Sequence, residues 1–513
     1  MQWKMKSEKK SLSLHKDIAH NLNADMEADL ERALELCGAG KYQVFHCALM
    51  VAILGAAILE MVGCSFILPA AACDLELSNS IRGIITSIPN IGVILTAPFW
   101  GRAADTFGRK PVLLFSTTVS GIIGLIAAFM PNLISFALCK FLASLFLSCP
   151  SSLGFAYVGE LMPKKRRDLA VLICNASLML VASLCPIFAW GVLSYDWWNS
   201  PLNLRPWRVL TAMYVAPLIL AALWLTQAKE SPKFLMTKGN DKKALDVLQH
   251  IYAFNSGRPK DNYCVTSLKF SAEDSEKAFS HGNCELGEGI MTNSAFALLR
   301  PPHVKWLALT GFLMFGLFSL LNGLFLFAPD TINKMMTHSS KEPVTICTLM
   351  NQPENLTSSD ECVDEISFAT FEVTVVTSLI YGTLVMLISL SPLAKRTSLI
   401  GMFVLASATC LVSAMTTNRI IAGVSMSALQ ITALGIGPLT AYSVQLFPTS
   451  LRATAVGAVL MFGRMGSVIG ANITGIFFAG ACTIIFYVFS ALLFLCAGLS
   501  FLLPKDKPAI DEQ

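Results

Sequence analysis

Apolar runs long enough to cross a bilayer recur through this chain, too many for any water-soluble core to bury. A spanning helix needs about 20 largely apolar residues. Candidates fall at 44–73, 81–100, 111–130, 133–159, 169–194, 207–227, 304–329, 366–391, 397–414, 418–443, 453–478 and 480–503. The breaks between them hold Pro, Gly, Asn or charge, which suit turns and do not suit lipid. Composition agrees: of 513 residues, 54% are hydrophobic and 14% charged, against roughly 25% charged in soluble domains. So few charges cannot coat a globule of this size, but they suffice where lipid covers most of the surface. The predicted fold is an all-α membrane protein of twelve transmembrane helices in two six-helix halves.

The same features exclude several functions. A net charge of +4 spread between apolar runs offers no nucleic-acid surface. The fifteen cysteines show no zinc-like spacing, and no loop carries a nucleophile–base or metal pattern, so neither an enzyme nor a cofactor is expected.

Polar segments divide the chain into an N-terminal segment (1–43), a first half (44–227), a central loop (228–303), a second half (304–503) and a tail (504–513). Residues from Asp25 to Glu35 could form a short helix. A further polar loop, 330–365, follows the seventh span. Orientation follows the rule that Lys and Arg collect in cytoplasmic loops. Arg102, Arg109, Lys110, Lys164, Lys165, Arg166, Arg167, Lys395, Arg396 and Arg452 lie on one side. Arg82, Arg205, Arg208 and Arg419 lie on the other. The first set is expected inside, with both termini and 228–303; the 330–365 loop is expected outside. That loop holds a glycosylation sequon at Asn355 and two cysteines, Cys347 and Cys362, that could pair in an oxidising space.

The halves repeat each other. Glu160-Leu-Met-Pro163-Lys-Lys-Arg-Arg167 follows the fourth span, and Gln445-Leu-Phe-Pro448-Thr-Ser-Leu-Arg452 follows the tenth. Duplicated halves around a central loop characterise transporters that rock about a midplane site. Between the second and third spans, Gly101-Arg102-Ala-Ala-Asp105-Thr-Phe-Gly108-Arg109-Lys110 resembles the loop signature of the major facilitator superfamily. The resemblance extends further. The Glu160 and Gln445 motifs look like the Glu-x-x-Pro-x-x-x-Arg pair of the sugar-porter and organic-ion branch. Glu230-Ser-Pro-Lys-Phe-Leu235 is similar to the motif that follows its sixth helix. Cys37-Gly-Ala-Gly40-Lys-Tyr-Gln43, and Glu60 with Pro69, resemble the entry to the first helix in the synaptic vesicle glycoprotein 2 and related-protein family.

The resemblance implies secondary active or facilitative transport of a small organic solute by alternating access, with or without a coupled proton. The host would be a plasma or vesicle membrane, and the protein a monomer. Gly101, Asp105, Gly108, Arg109, Lys110, Glu160, Pro163, Arg167, Gln445 and Arg452 would form the cytoplasmic gate. There are departures. Ser391 and Ala394 stand where the second copy of the loop signature would carry Asp and Gly, Gln445 replaces Glu, and Ala57 replaces an Asp of close relatives. This erosion leaves open a rival function: a membrane protein that binds a ligand or partner without transporting.

Ionisable groups inside apolar spans are costly and usually face a cavity or a partner. Glu60 in the first span is a candidate proton or cation site, or a structural partner of another polar group. Arg464 in the eleventh could bind an anionic substrate or pair with a carboxylate. The expectation is that both face the central cavity. Lys140 in the fourth either approaches the cavity or extends towards the membrane surface. Asn322, Tyr381, Gln430, Tyr442 and Asn472 are uncharged candidates for the cavity lining, or interhelical hydrogen bonds.

Overall fold

The computed structural model describes residues 26–195, 205–269, 298–301, 303–337, 344–351, 366–391, 394–447, 451–478 and 480–504. Twelve helices among them are long and apolar enough to span a membrane: Lys41–Ala70, Asn79–Phe107, Arg109–Ala127, Leu133–Glu160, Lys164–Leu193, Pro206–Leu225, His303–Thr337, Phe368–Leu390, Lys395–Met415, Arg419–Gln445, Thr454–Phe478 and Gly480–Ser500. Each matches an expected run, and most extend beyond it at their polar ends, because a helix continues past the hydrocarbon until a cap or proline stops it. Ser78, Asn132, Ser367 and Asn418 cap the second, fourth, eighth and tenth spans by accepting backbone N–H groups. Pro206 occupies the first turn of the sixth, where a missing N–H costs nothing.

The cores follow the duplication. One apolar cluster fills the second half, from Leu307 and Met314 through Phe403 and Tyr442 to Phe486. Two others fill the inner and outer parts of the first half, around Tyr157 and Trp207 respectively. The halves meet along two long seams, with further contacts between the outer ends of the first and seventh spans. The second span lies against the eleventh, and the fifth against the eighth, where the Ser183 hydroxyl donates to the Ser378 carbonyl at 2.8 Å.

The Lys/Arg-rich end, here the inner end, carries a small polar subdomain built from both sides of the first half. Strand Met26–Asp29 pairs in parallel with strand Val265–Lys269, and the helix Leu30–Cys37 packs on the helix Asp241–Ser256. Asn255 ties the subdomain to the first span: its amide donates to the carbonyls of Cys37 and Gly38 and to Gln43, and accepts from the Tyr42 N–H. The segment from Asp25 to Glu35 therefore contains part of a helix, preceded by a strand.

Two expectations for the outer loop change. Cys347 is bonded to Cys482 at the start of the twelfth span, with Cα atoms 5.3 Å apart, and not to Cys362. The short helix Ile346–Asn351 lays Cys347 against that span, a proximity invisible to pairing within one loop. Cys362, Asn355 and Pro448 lie outside the described residues. Cys73 is also disulfide-bonded.

Candidate functional site

A cavity of about 1890 Å³ lies between the halves. Its walls reach the inner ends of the second, fourth, fifth, ninth, tenth and eleventh spans, where Asp105, Glu160, Asp168, Lys395, Gln445 and Thr454 line the mouth. At the other end the walls stop at Phe66, Leu326 and Ile332. The lining thus reaches the inner ends of the spans and stops short of their outer ends.

Apart from that mouth, which Arg102, Arg167 and Lys233 also line, Arg464 is the one Lys, Arg, Asp or Glu side chain lining the cavity among the described residues. It sits near the middle of the eleventh span. Its Nη1 donates to Asn90 Oδ1 of the second span at 3.0 Å, and its guanidinium lies 5.4 Å from the centre of the Phe318 ring. Both contacts are with neutral groups. Asn322 and Gln430 also line the cavity. Asn322 donates to Ser467 at 2.9 Å. Gln430 is 5% exposed, and its side-chain oxygen has no hydrogen-bond partner. Apolar groups make the rest of this depth, among them Met61, Phe318, Leu321, Phe325 and Met461. Such a site offers one fixed cation, a hydrogen-bond acceptor and a large apolar surface.

The other expected lining residues lie elsewhere. Glu60 and Lys140 form an ion pair at 2.6 Å, buried inside the first half between the first and fourth spans. Neither lines the cavity, so Glu60 and Arg464 do not share it. The reason is local: Lys140 supplies the counter-charge that Glu60 needs, and the Phe136 ring covers the ammonium, so neither group requires water. One oxygen of Glu60 remains without a hydrogen bond. Tyr381 is directed at the Val424 carbonyl of the tenth span, at 3.5 Å. Tyr442 is 1% exposed and donates to the Pro504 carbonyl. Asn472 donates to Val468 within its own helix. None of these three lines the cavity.

The residues expected at the inner end of the first half lie close together. Arg109 pairs with Asp105 at 2.9 Å and with Glu160 at 3.1 Å, and donates to the Ala104 carbonyl. Its guanidinium also lies beside the Phe234 ring. Lys110 donates to the Thr226 carbonyl at 2.8 Å. Glu230 accepts the N–H groups of Arg109 and Lys110, placing a carboxylate at the positive end of the third span. Gly108 makes this approach possible. Its φ is +107°, and any Cβ there would lie against the Glu230 carboxylate. Burial pushes the Glu230 carboxyl above the usual range, while the three N–H donors, including Ser231, pull it back. Arg167 pairs with Glu31 at 2.7 Å and donates to the Gly159 carbonyl, tying the gate to the inner subdomain. Pro163 starts the fifth span, and Gly101 lines the cavity. In the second half, Gln445 lines the mouth; the Arg452 side chain lies outside the described residues.

Two contacts across the seam were missed. Asn90 is 1% exposed within the second span, and its strong polarity inside an apolar run was a readable signal. Arg82 meets Asp330 at 2.9 Å near the outer ends of the second and seventh spans. Both had been assigned to loops, because each lies at the edge of an apolar run.

Comparison with known proteins places this geometry. Synaptic vesicle glycoprotein 2A of Rattus norvegicus is 25% identical over 260 residues, which cover 49% of this chain and 35% of that protein. Synaptic vesicle glycoprotein 2C of the same species is 27% identical over 252 residues, covering 48% and 35%. The match thus spans about a third of these relatives' length. Among solved structures, the partially occluded inward-open xylose transporter XylE from E. coli superposes with a TM-score of 0.63. It is 16% identical, with 91% of this chain and 100% of that one covered, a likeness of fold. The family model of the Major Facilitator Superfamily matches residues 48–348, more than half the chain, and this protein belongs to that superfamily.

Proposed function

We propose that this protein is an alternating-access carrier of a small organic anion. The observation that carries this reading is Arg464: a cation in the cavity wall, midway across the membrane, whose contacts are neutral. A charge so placed is costly unless a ligand or partner compensates it. A carboxylate or sulfonate entering the cavity would do so through charge-assisted hydrogen bonds, while its apolar body would meet Met61, Phe325 and Met461. A cavity lined through to the inner end and stopping short of the outer one corresponds to one state of the cycle, and the Asp105–Arg109–Glu160 network is the latch on the first half.

Counterflow in proteoliposomes tests the proposal with matched aromatic carboxylates and amines. Transport of carboxylates, lost in Arg464→Gln, is the expected result. Transport of amines instead overturns the anion assignment. Ligand binding with no exchange in any gradient favours the rival reading of a non-transporting receptor.

A further inference from the structure

The bond between Arg464 and Asn90 joins the two halves at the depth of the cavity. The second and eleventh spans run antiparallel in a fixed register. Gly83 and Asn90 on one face Ala471 and Arg464 on the other, each pair about two helical turns apart. At the outer end the two backbones nearly touch: a Cβ on Gly83 would lie 2.6 Å from the Ala471 carbonyl oxygen, and one on Gly475 would lie 2.8 Å from that of Asn79. Two turns further in, the same pair of spans is joined by a polar contact, Asn90 Oδ1 to Arg464 Nη1 at 3.0 Å. Asn90 itself is buried and does not line the cavity.

We infer that Asn90 is a positioning residue that couples anion binding to the outer seam: it holds Arg464 in the closed arrangement and yields it to a bound anion. The inference rests on the anion reading above. Asn90 supplies an acceptor dipole without a negative charge, so Arg464 is oriented but not neutralised. An anion in the cavity competes for the same guanidinium with a full charge, and charge-assisted bonds are about twice as strong as neutral ones. As Arg464 turns to the anion, this contact between the two spans is released. The side-chain amide is essential to this balance. A carboxylate at the same place would neutralise Arg464 permanently, and a methyl group would leave it free.

The test uses dansylglycine, a carboxylate on an apolar body, binding to the purified full chain, with Asn90→Asp and Asn90→Ala compared. Asn90→Asp should weaken binding by about tenfold or more, and Asn90→Ala should tighten it by about ten- to a hundredfold, the range set by one hydrogen bond to a charged group. Asn90 acting only in packing would weaken binding in both variants, and that result overturns the inference. A second measurement needs no ligand: electron–electron distances between spin labels on unnatural amino acids at positions 80 and 480, both exposed at the outer end. Asn90→Asp should narrow the distribution at the short distance, and Asn90→Ala should add longer ones. Identical distributions in the wild type and both variants refute the coupling. If dansylglycine does not bind the wild type, or binds Arg464→Gln equally well, the anion reading fails, and the distances alone decide whether Asn90 clamps the seam.

Discussion

The inner ends of the two halves descend from one pattern and are held together by different forces. In the first half, Arg109 pairs with Asp105 and Glu160, Glu230 accepts the Arg109 N–H, and Arg167 pairs with Glu31. In the second, the corresponding loop has Ser391 and Ala394, and its cations turn to backbone. Arg396 donates to the Phe501 carbonyl and lies over that residue's ring. Tyr442 donates to the Pro504 carbonyl at 3.2 Å, and the Ser391 hydroxyl bonds Ile388 within its own helix. A cation at the last carbonyls of a helix is stabilising, but it locks nothing outside its own half. The difference teaches that losing acidic partners did not strand Arg396: a backbone carbonyl and a ring of its own half receive it. The interiors differ in the same sense, a paired Glu60–Lys140 in the first and a charge held by neutral groups, Arg464, in the second.

The strongest way to break this contrast is Lys140→Ala. Removing one partner of a buried pair leaves an uncompensated charge and costs about 3–5 kcal/mol, so thermal unfolding in detergent should shift far down. Replacing both partners, Glu60→Gln with Lys140→Met, should recover most of it. Equal stability of the single variant and the wild type would mean that the pair is hydrated. A smaller effect, about 2–4 kcal/mol, is expected at the outer end of the second half from Cys482→Ser, which opens a link between residues 135 apart in sequence. A non-reducing digest should show the Cys347 peptide joined to that of Cys482; finding it joined to Cys362 would restore the pairing expected from the loop alone.

At the inner ends, Arg109→Ala should cost about 1.5–3 kcal/mol, the range for hydrogen bonds to charged groups. Arg396→Ala, whose contacts are exposed, should cost no more than about 1 kcal/mol. Thermal melts of the two variants, measured side by side, check the asymmetry. If Arg396→Ala proves the more damaging, the second half's inner end depends on its cation as much as the first.

Periodicity made the fold legible because a span's length is set by bilayer thickness, not by partners. Even the short 397–414 run proved to be a full helix, Lys395–Met415. The charged turn was legible for the same kind of reason: Gly108, Arg109 and Glu160 sit in a local pattern whose geometry is fixed by a tight turn. The cavity lining was only partly legible. Arg464, Asn322 and Gln430 line it, whereas Glu60, Lys140, Tyr381 and Tyr442 do not. A polar residue in an apolar span must find a partner, but nothing in one sequence tells whether that partner is a ligand, as Arg464 invites, or a neighbouring helix, as Lys140 is for Glu60. The face of a helix turned to the other half depends on the packing of both halves. Asn90 was missed on that account, and Cys482 because its partner lies in another outer segment.

The subtlest test concerns Glu230, where the first half's network meets the inner subdomain. Two opposing effects act on its carboxyl. Burial disfavours the charged form, and the N–H groups of Ser231, Lys110 and Arg109 favour it; burial is the larger, so the group titrates above its usual value of about 4.5. A carboxyl whose folded value lies above its unfolded one binds more protons when folded. Its contribution to stability is therefore complete below the unfolded value and is lost as pH rises through the folded value. Glu230→Gln removes that dependence and retains an amide oxygen that can still accept from Arg109 and Lys110. The expected outcome is that the melting temperature of Glu230→Gln, relative to the wild type, improves as pH rises from about 4.5 through the mildly acidic range and is flat above it. The same measurement on Asp246→Asn, extended downwards through pH 3.8, serves as a control of opposite sign. The hydrogen bond with Lys260, at 2.8 Å, holds that exposed carboxyl below its usual 3.8, so the variant should lose ground as pH rises towards that value and stay level above it. If Glu230→Gln also loses ground with rising pH, the helix terminus of the third span outweighs burial, and Glu230 is held charged by the turn at Gly108.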